Sequence, residues 1–108
     1  AWHLHKTRID WWFCVTGKIK AVLYDKRDES KTKGETNEIL LGDAPDNIVL
    51  KIPAGVAHGM KVLEGPCHFV YATSCIYNPQ EEGRIKYDDK EIEYDWVQGI
   101  PITNTNIT

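Results

Sequence analysis

Apolar and polar positions alternate along most of this chain. Over residues 18–24, Ile19, Ala21 and Leu23 fall on one face and Lys18, Lys20 and Val22 on the other, the period of two expected of a strand. Residues 11–15 form an apolar strand, and Thr16-Gly17 predicts a hairpin turn joining the two. Further strands are expected over residues 38–41, 48–52, 60–63 and 67–73, with weaker ones over 84–87 and 92–94. Turn-forming residues separate them at Gly42-Asp43-Ala44-Pro45, Pro53-Ala54-Gly55 and Glu64-Gly65-Pro66. No ten-residue stretch carries helical periodicity. The expected fold is all-β, a sandwich or jelly-roll barrel of short antiparallel strands.

Composition narrows the picture. With 42% of 108 residues hydrophobic, the chain can build one core and not two. The expected organisation is a single domain over residues 1–98 and an irregular tail over 99–108. Thirteen basic and sixteen acidic residues give a net charge of −3. That argues against nucleic acid as a partner, because a basic face supplies most of such affinity. Apolar runs are too short for a membrane-spanning helix, which needs about twenty residues. With no secretory leader pattern either, no membrane partner is expected and the location is read as cytoplasmic. Cys14, Cys67 and Cys75 are an odd count without C-x-x-C spacing, read as free, mostly buried thiols. Residues 26–35 mix four basic and three acidic side chains, the composition of a solvated loop. The chain opens on Ala1-Trp2-His3 with a strand already under way, which suggests the central part of a longer protein.

Candidate chemistry gathers on the histidines. His3 and His5 are two apart, so on a strand both point to one face. Asp10 heads the aromatic strand, and His58 follows the Pro53-Ala54-Gly55 turn. In a closed barrel, His3, His5, Asp10 and His58 could converge inside and offer a first shell for a divalent metal. For any one histidine an ordinary structural role is the simpler reading; the set together shifts the balance. The segment from His3 through Asp10 to Gly17 resembles the first cupin motif, and Pro53 to His58 the second.

A closer resemblance runs along nearly the whole chain. Ile52-Pro53-Ala54-Gly55-Val56-Ala57-His58-Gly59-Met60 resembles the I-P-x-G-x-A-H-G-F signature of the dTDP-4-dehydrorhamnose 3,5-epimerases. Trp2-His3, Phe69-Val70-Tyr71, Tyr77-Asn78-Pro79, the run from Gly83 to Asp89 and Tyr94-Asp95-Trp96 resemble further landmarks in the same order. The resemblance implies a homodimeric cupin of dTDP-rhamnose and polysaccharide biosynthesis that needs no metal or other cofactor. It also implies a histidine base, a tyrosine acid and a lysine that steadies the enolate. Carried over by position, His3 is the base, His58 the second pocket histidine and Tyr71 the proton donor, while Tyr77 is a pocket tyrosine. His5 stands in place of a glutamine, and Arg84 and Lys86 are candidates for contact with a pyrophosphate.

Two family features are missing from the sequence. Asp10 occupies the position of the enolate-steadying lysine, and residues 104–107 contain no acid to orient the base. Removing a proton beside a ketone builds negative charge on its oxygen, and a fixed cation there lowers the barrier. An anionic Asp10 opposes that. The leading expectation is an epimerase-like or isomerase-like cupin acting on a dTDP-4-keto-6-deoxyhexose or related sugar nucleotide. One alternative is a metal-dependent cupin enzyme using His3, His5, Asp10 and His58, with the metal as Lewis acid. Another is a non-catalytic sugar-nucleotide binder.

Overall fold

The structure is a computed structural model that describes residues 1–76, 78–80 and 82–99. Among the described residues the alternating pattern becomes six strands: β1 (Trp2–His5), β2 (Asp10–Asp25), β3 (Thr36–Gly42), β4 (Leu50–Ile52), β5 (Val56–Thr73) and β6 (Glu82–Ile85). All pairings are antiparallel. The order is β3-β2-β5-β1-β6, with β4 also on β2. No helix occurs among the described residues. The expected tail, apart from Gly99, lies outside them.

Two expected turns are absent. Thr16-Gly17 and Glu64-Gly65-Pro66 lie inside β2 and β5, where Lys18 pairs with Glu64. The ladder shifts register between Cys14 and Ile19, so these segments make a bulge and bend both strands. Gly17 has φ +83°, and a Cβ there would lie 2.6 Å from the Glu64 carbonyl oxygen. Glycine here serves a close backbone approach, not a chain reversal. The bend gives each long strand two sets of neighbours. One end of β2 holds β4 and the last residues of β5; the other holds β3 and the first residues of β5.

Two apolar clusters cover the two faces of the long strands. Trp12, Cys14, Ile19, Ala21, Leu41, Ile52 and Val56 form one. Trp2, Val22, Tyr24, Ala57, Ile92 and Tyr94 form the other. Val22, read from the sequence as sharing a face with two lysines, is fully buried because Trp2 and the segment around Ile92 cover it. That segment is not a strand, unlike the expectation for residues 92–94, although Ile92 and Tyr94 are both buried. The three cysteines are free. Cys14 Sγ lies 3.1 Å from Cys67 Sγ, whereas Cys75 is exposed, against the expectation of mostly buried thiols. Burial, then the hydrogen bond with Cys67, push the Cys14 thiol up to about 11.

Asp25 closes the loop that follows β2. Its carboxylate accepts from Arg27 Nε at 2.9 Å, the Arg27 backbone N–H at 3.0 Å, and the hydroxyls of Ser30 and Thr32 at 2.5 Å each. The Arg27 hydrogen bond holds the carboxyl far below the usual range; burial opposes this, and Ser30 and Thr32 add to it. A folded-state pKa below the unfolded value of about 3.9 contributes stability above that pH and loses it as pH falls further. Asp25→Asn is therefore expected to cost about 2–3 kcal/mol at neutral pH. The gap between variant and wild type should narrow below the unfolded pKa, as measured by urea unfolding at a series of pH values.

Candidate functional site

β1 and β5 set three histidines beside one another. His3 pairs directly with His58 across the ladder. The two-residue spacing sends His3 and His5 to the face opposite Trp2, and both line a cavity of about 320 Å³. Asp10, the first residue of β2, and Arg8, in the segment between β1 and β2, reach the same space, as do Trp12, His58, Tyr71 and Glu82. His5, Asp10 and His58 are buried. The Trp12 and His58 rings meet edge-to-face, with centroids 5.3 Å apart and planes at 83°.

Asp10 Oδ2 lies 3.6 Å from His5 Nε2 and 3.5 Å from His58 Nε2. Burial lowers the pKa of both imidazoles. At His5 the Arg8 charge adds to this, while at His58 the Val56 carbonyl and Asp10 work against it. His58 Nδ1 lies 3.0 Å from the Val56 carbonyl oxygen, which can only accept. The neutral ring therefore carries its proton on Nδ1, and the Nε2 lone pair faces the carboxylate. His5 Nε2 is buried without a hydrogen-bond partner. Arg8 compensates the Asp10 charge, with Nε 2.9 Å from Oδ1 and Nη2 3.4 Å from Oδ2.

His3 stands apart from that group. Its Nδ1 is 3.1 Å from Glu82 Oε1. Burial opposes ionisation of Glu82, but the His3 hydrogen bond and charge, with help from Arg84, hold the carboxyl below its ordinary value. An Nδ1–H donated to Glu82 leaves His3 Nε2 as the basic nitrogen. Tyr71 flanks the same cavity from the far end of β5, its ring stacked on Phe69 at 6.0 Å. More than half of Tyr71 is exposed, so its hydroxyl is open to a ligand.

The other candidates fall elsewhere. Arg84 and Lys86 are exposed and are not among the residues lining the cavity. Tyr77 lies outside the described residues. The ligand atoms of His5, Asp10 and His58 come within 4.8 Å of one another, and His3 is not part of that group. Two functional candidates escaped the sequence reading. Arg8 could have been found from its spacing of two from Asp10, which puts both on one face of an extended chain. Glu82 was hidden because the strand in this region was expected over residues 84–87, beginning at Arg84. With His3 opposite Arg84 and His5 opposite Glu82, Glu82 becomes a diagonal neighbour of His3.

Comparisons with known proteins agree with this architecture. The family model described as dTDP-4-dehydrorhamnose 3,5-epimerase matches residues 3–107. The chain is 47% identical over 100 residues to the spore coat polysaccharide biosynthesis protein SpsL of Bacillus subtilis strain 168, covering 89% of this chain and 65% of that one. It is 36% identical over 100 residues to a probable low-salt glycan biosynthesis epimerase of Haloferax volcanii, covering 89% and 64%. The crystal structure of a dTDP sugar isomerase from Desulfovibrio desulfuricans G20 superposes with a TM-score of 0.85 at 27% identity, covering 93% of this chain and 64% of that one. The chain thus spans less than two thirds of each of these relatives. The shared fold is the all-β cupin expected from the alternation and motifs.

Proposed function

Because the chain belongs to the dTDP-4-dehydrorhamnose 3,5-epimerase family, we propose that it is a sugar-nucleotide epimerase or isomerase. Its substrate would be a dTDP-4-keto-6-deoxyhexose or a related sugar nucleotide, and its reaction proton abstraction at a carbon beside the ketone. His3 Nε2 takes the proton and Tyr71 returns one from the opposite face. The observation that carries this reading is the His3–Glu82 contact at 3.1 Å on the cavity wall. A carboxylate at Nδ1 fixes the tautomer and ring position that a histidine base needs. In this reading Glu82 fills the role of the orienting acid for which residues 104–107 offer no candidate. His58 and His5 form the buried wall beside the base. The reading needs no cofactor. The test is incubation with dTDP-4-keto-6-deoxyglucose in deuterium oxide. Deuterium should appear at the sugar carbon beside the ketone, and its complete absence would reject the reading.

A second reading is favoured by the ligand atoms of His5, Asp10 and His58, which lie within 4.8 Å of one another, with His5 Nε2 buried and without a hydrogen-bond partner. These donors fit a divalent metal, which would supply Lewis-acid polarisation when bound. Arg8 already compensates Asp10, so the metal-free reading stands first. Elemental analysis after exposure to Zn, Mn, Fe and Ni decides between them: a bound equivalent that is lost in His58→Ala supports the metal.

Further proposals concern assembly and place. Val62, Leu63 and Val70 are exposed apolar side chains along β5, suited to contact with a second copy of the chain. A homodimer is the expected state in sedimentation at micromolar concentration; a monomer alone would reject it. No helix among the described residues is long and apolar enough to cross a membrane. A small-molecule sugar nucleotide is the proposed partner and the cytoplasm the proposed location.

A further inference from the structure

We infer that Arg8 is the electrophile of this site. Held by Asp10, it donates N–H groups to the substrate oxygen that turns negative when His3 removes the neighbouring proton. The inference rests on the epimerase reading above. The step balances without an oxidant or reductant. The C–H bond breaks, its proton goes to His3 Nε2, and its electron pair moves to the ketone oxygen as the enolate forms.

The enolate needs a cation, and Asp10 stands where the family's lysine would be. Of the described side chains lining the cavity, that of Arg8 is the one lysine or arginine. Asp10 therefore does not simply oppose the reaction. It grips Arg8 at Nε, 2.9 Å away, and more loosely at Nη2, 3.4 Å away. The described hydrogen bonds of Arg8 use these two nitrogens, and a guanidinium has five N–H donors in a fixed plane. Nη1 carries two further N–H donors, and because Arg8 lines the cavity, it is to Nη1 that the substrate oxygen is assigned. Both side chains are largely shielded from water, at 14% and 3% exposure, where oriented donors act more strongly than in solvent. The pair carries little net charge, so what it offers is a pre-aimed set of donors.

One consequence runs against the sequence alone. Asp10→Lys restores the family's residue, yet it removes the anchor of Arg8 and sets a second cation beside it. It should slow exchange rather than quicken it.

The experiment measures solvent deuterium exchange into dTDP-4-keto-6-deoxyglucose by wild type, Arg8→Ala, Arg8→Lys and the double variant Arg8→Ala/Asp10→Asn. The double variant guards against misfolding, because it leaves no lone buried charge. Loss of an oxyanion donor predicts a fall of about 10²–10³-fold in kcat for Arg8→Ala and the double variant, with KM little changed. Arg8→Lys should recover part of the loss. Millimolar guanidinium ion should speed Arg8→Ala and leave His3→Ala unchanged. Wild-type exchange in the folded double variant, or an effect confined to KM, overturns the inference. If wild type exchanges no deuterium, the epimerase reading fails, and Arg8 is judged by binding. Oxalate, a planar enolate mimic, should then shift the Arg8 guanidinium N–H resonances of wild type, those of Nη1 the most. A shift keeps Arg8 as an oxyanion site; no shift overturns that as well.

Discussion

His3→Ala is expected to remove both deuterium exchange and epimerisation, whereas Tyr71→Phe should remove epimerisation and keep exchange. The difference follows from where each group stands. His3 lies on β1, paired with His58, and its Nδ1 is occupied by Glu82. Only its Nε2 can take the substrate proton. Without it the enolate does not form, and a loss of about 10²–10⁴-fold is the usual scale for a general base. Tyr71 lies on β5, stacked on Phe69, and in the proposed mechanism it acts after the enolate exists. With Tyr71→Phe, His3 can still take a proton, exchange it with solvent and return deuterium to the same face. The product is then labelled substrate with its configuration retained. Glu82→Gln should fall between wild type and His3→Ala, because an amide still reaches Nδ1 but no longer fixes which nitrogen carries the proton. Mass spectrometry and NMR of the recovered sugar nucleotide distinguish the three patterns. Epimerised product from Tyr71→Phe at the wild-type rate would remove Tyr71 from the mechanism.

The strands and the inward histidines were legible because period two is a local property. His3 and His5 share a face whatever their neighbours do, and Ile19 and Ala21 are buried as their spacing predicts. The two long strands were not legible. Thr16-Gly17 and Glu64-Gly65-Pro66 carry residues that favour turns, and only the pairing of Lys18 with Glu64 shows that they bend one ladder together. The partners of the site were hidden for the same reason. Glu82 reaches His3 from a strand 79 positions further along, a distance at which sequence spacing says nothing. Arg8 is only two residues from Asp10 in sequence, but its proposed role depends on the burial of Asp10, which the fold decides. The position that looked like a loss, an aspartate in place of a lysine, is where local and long-range information part most clearly.

Trp2→Ala is expected to be the most damaging change outside the cavity. Trp2 is fully buried, and it joins β1 to the segment that covers the outer face. Its ring meets Tyr94 edge-on, with centroids 6.0 Å apart, and Trp96 at 5.1 Å. Truncating a buried tryptophan costs about 3–5 kcal/mol, against a total of about 5–15 kcal/mol for a typical domain. The loss should extend to chemistry, since Trp2 and His3 are neighbours on opposite faces of a four-residue strand. If β1 loosens, the His3–Glu82 contact loosens with it. Trp2→Phe separates packing from hydrogen bonding. The Trp2 indole N–H is buried without a partner, a cost of about 1–3 kcal/mol that phenylalanine removes while giving up some volume. Trp2→Phe should therefore lie within about 1.5 kcal/mol of wild type and keep its exchange activity. Chemical denaturation with exchange measured in parallel checks both variants. If Trp2→Ala proves as stable as wild type, the outer cluster does not hold β1, and the rigidity of the base must come from β5 and β6 alone.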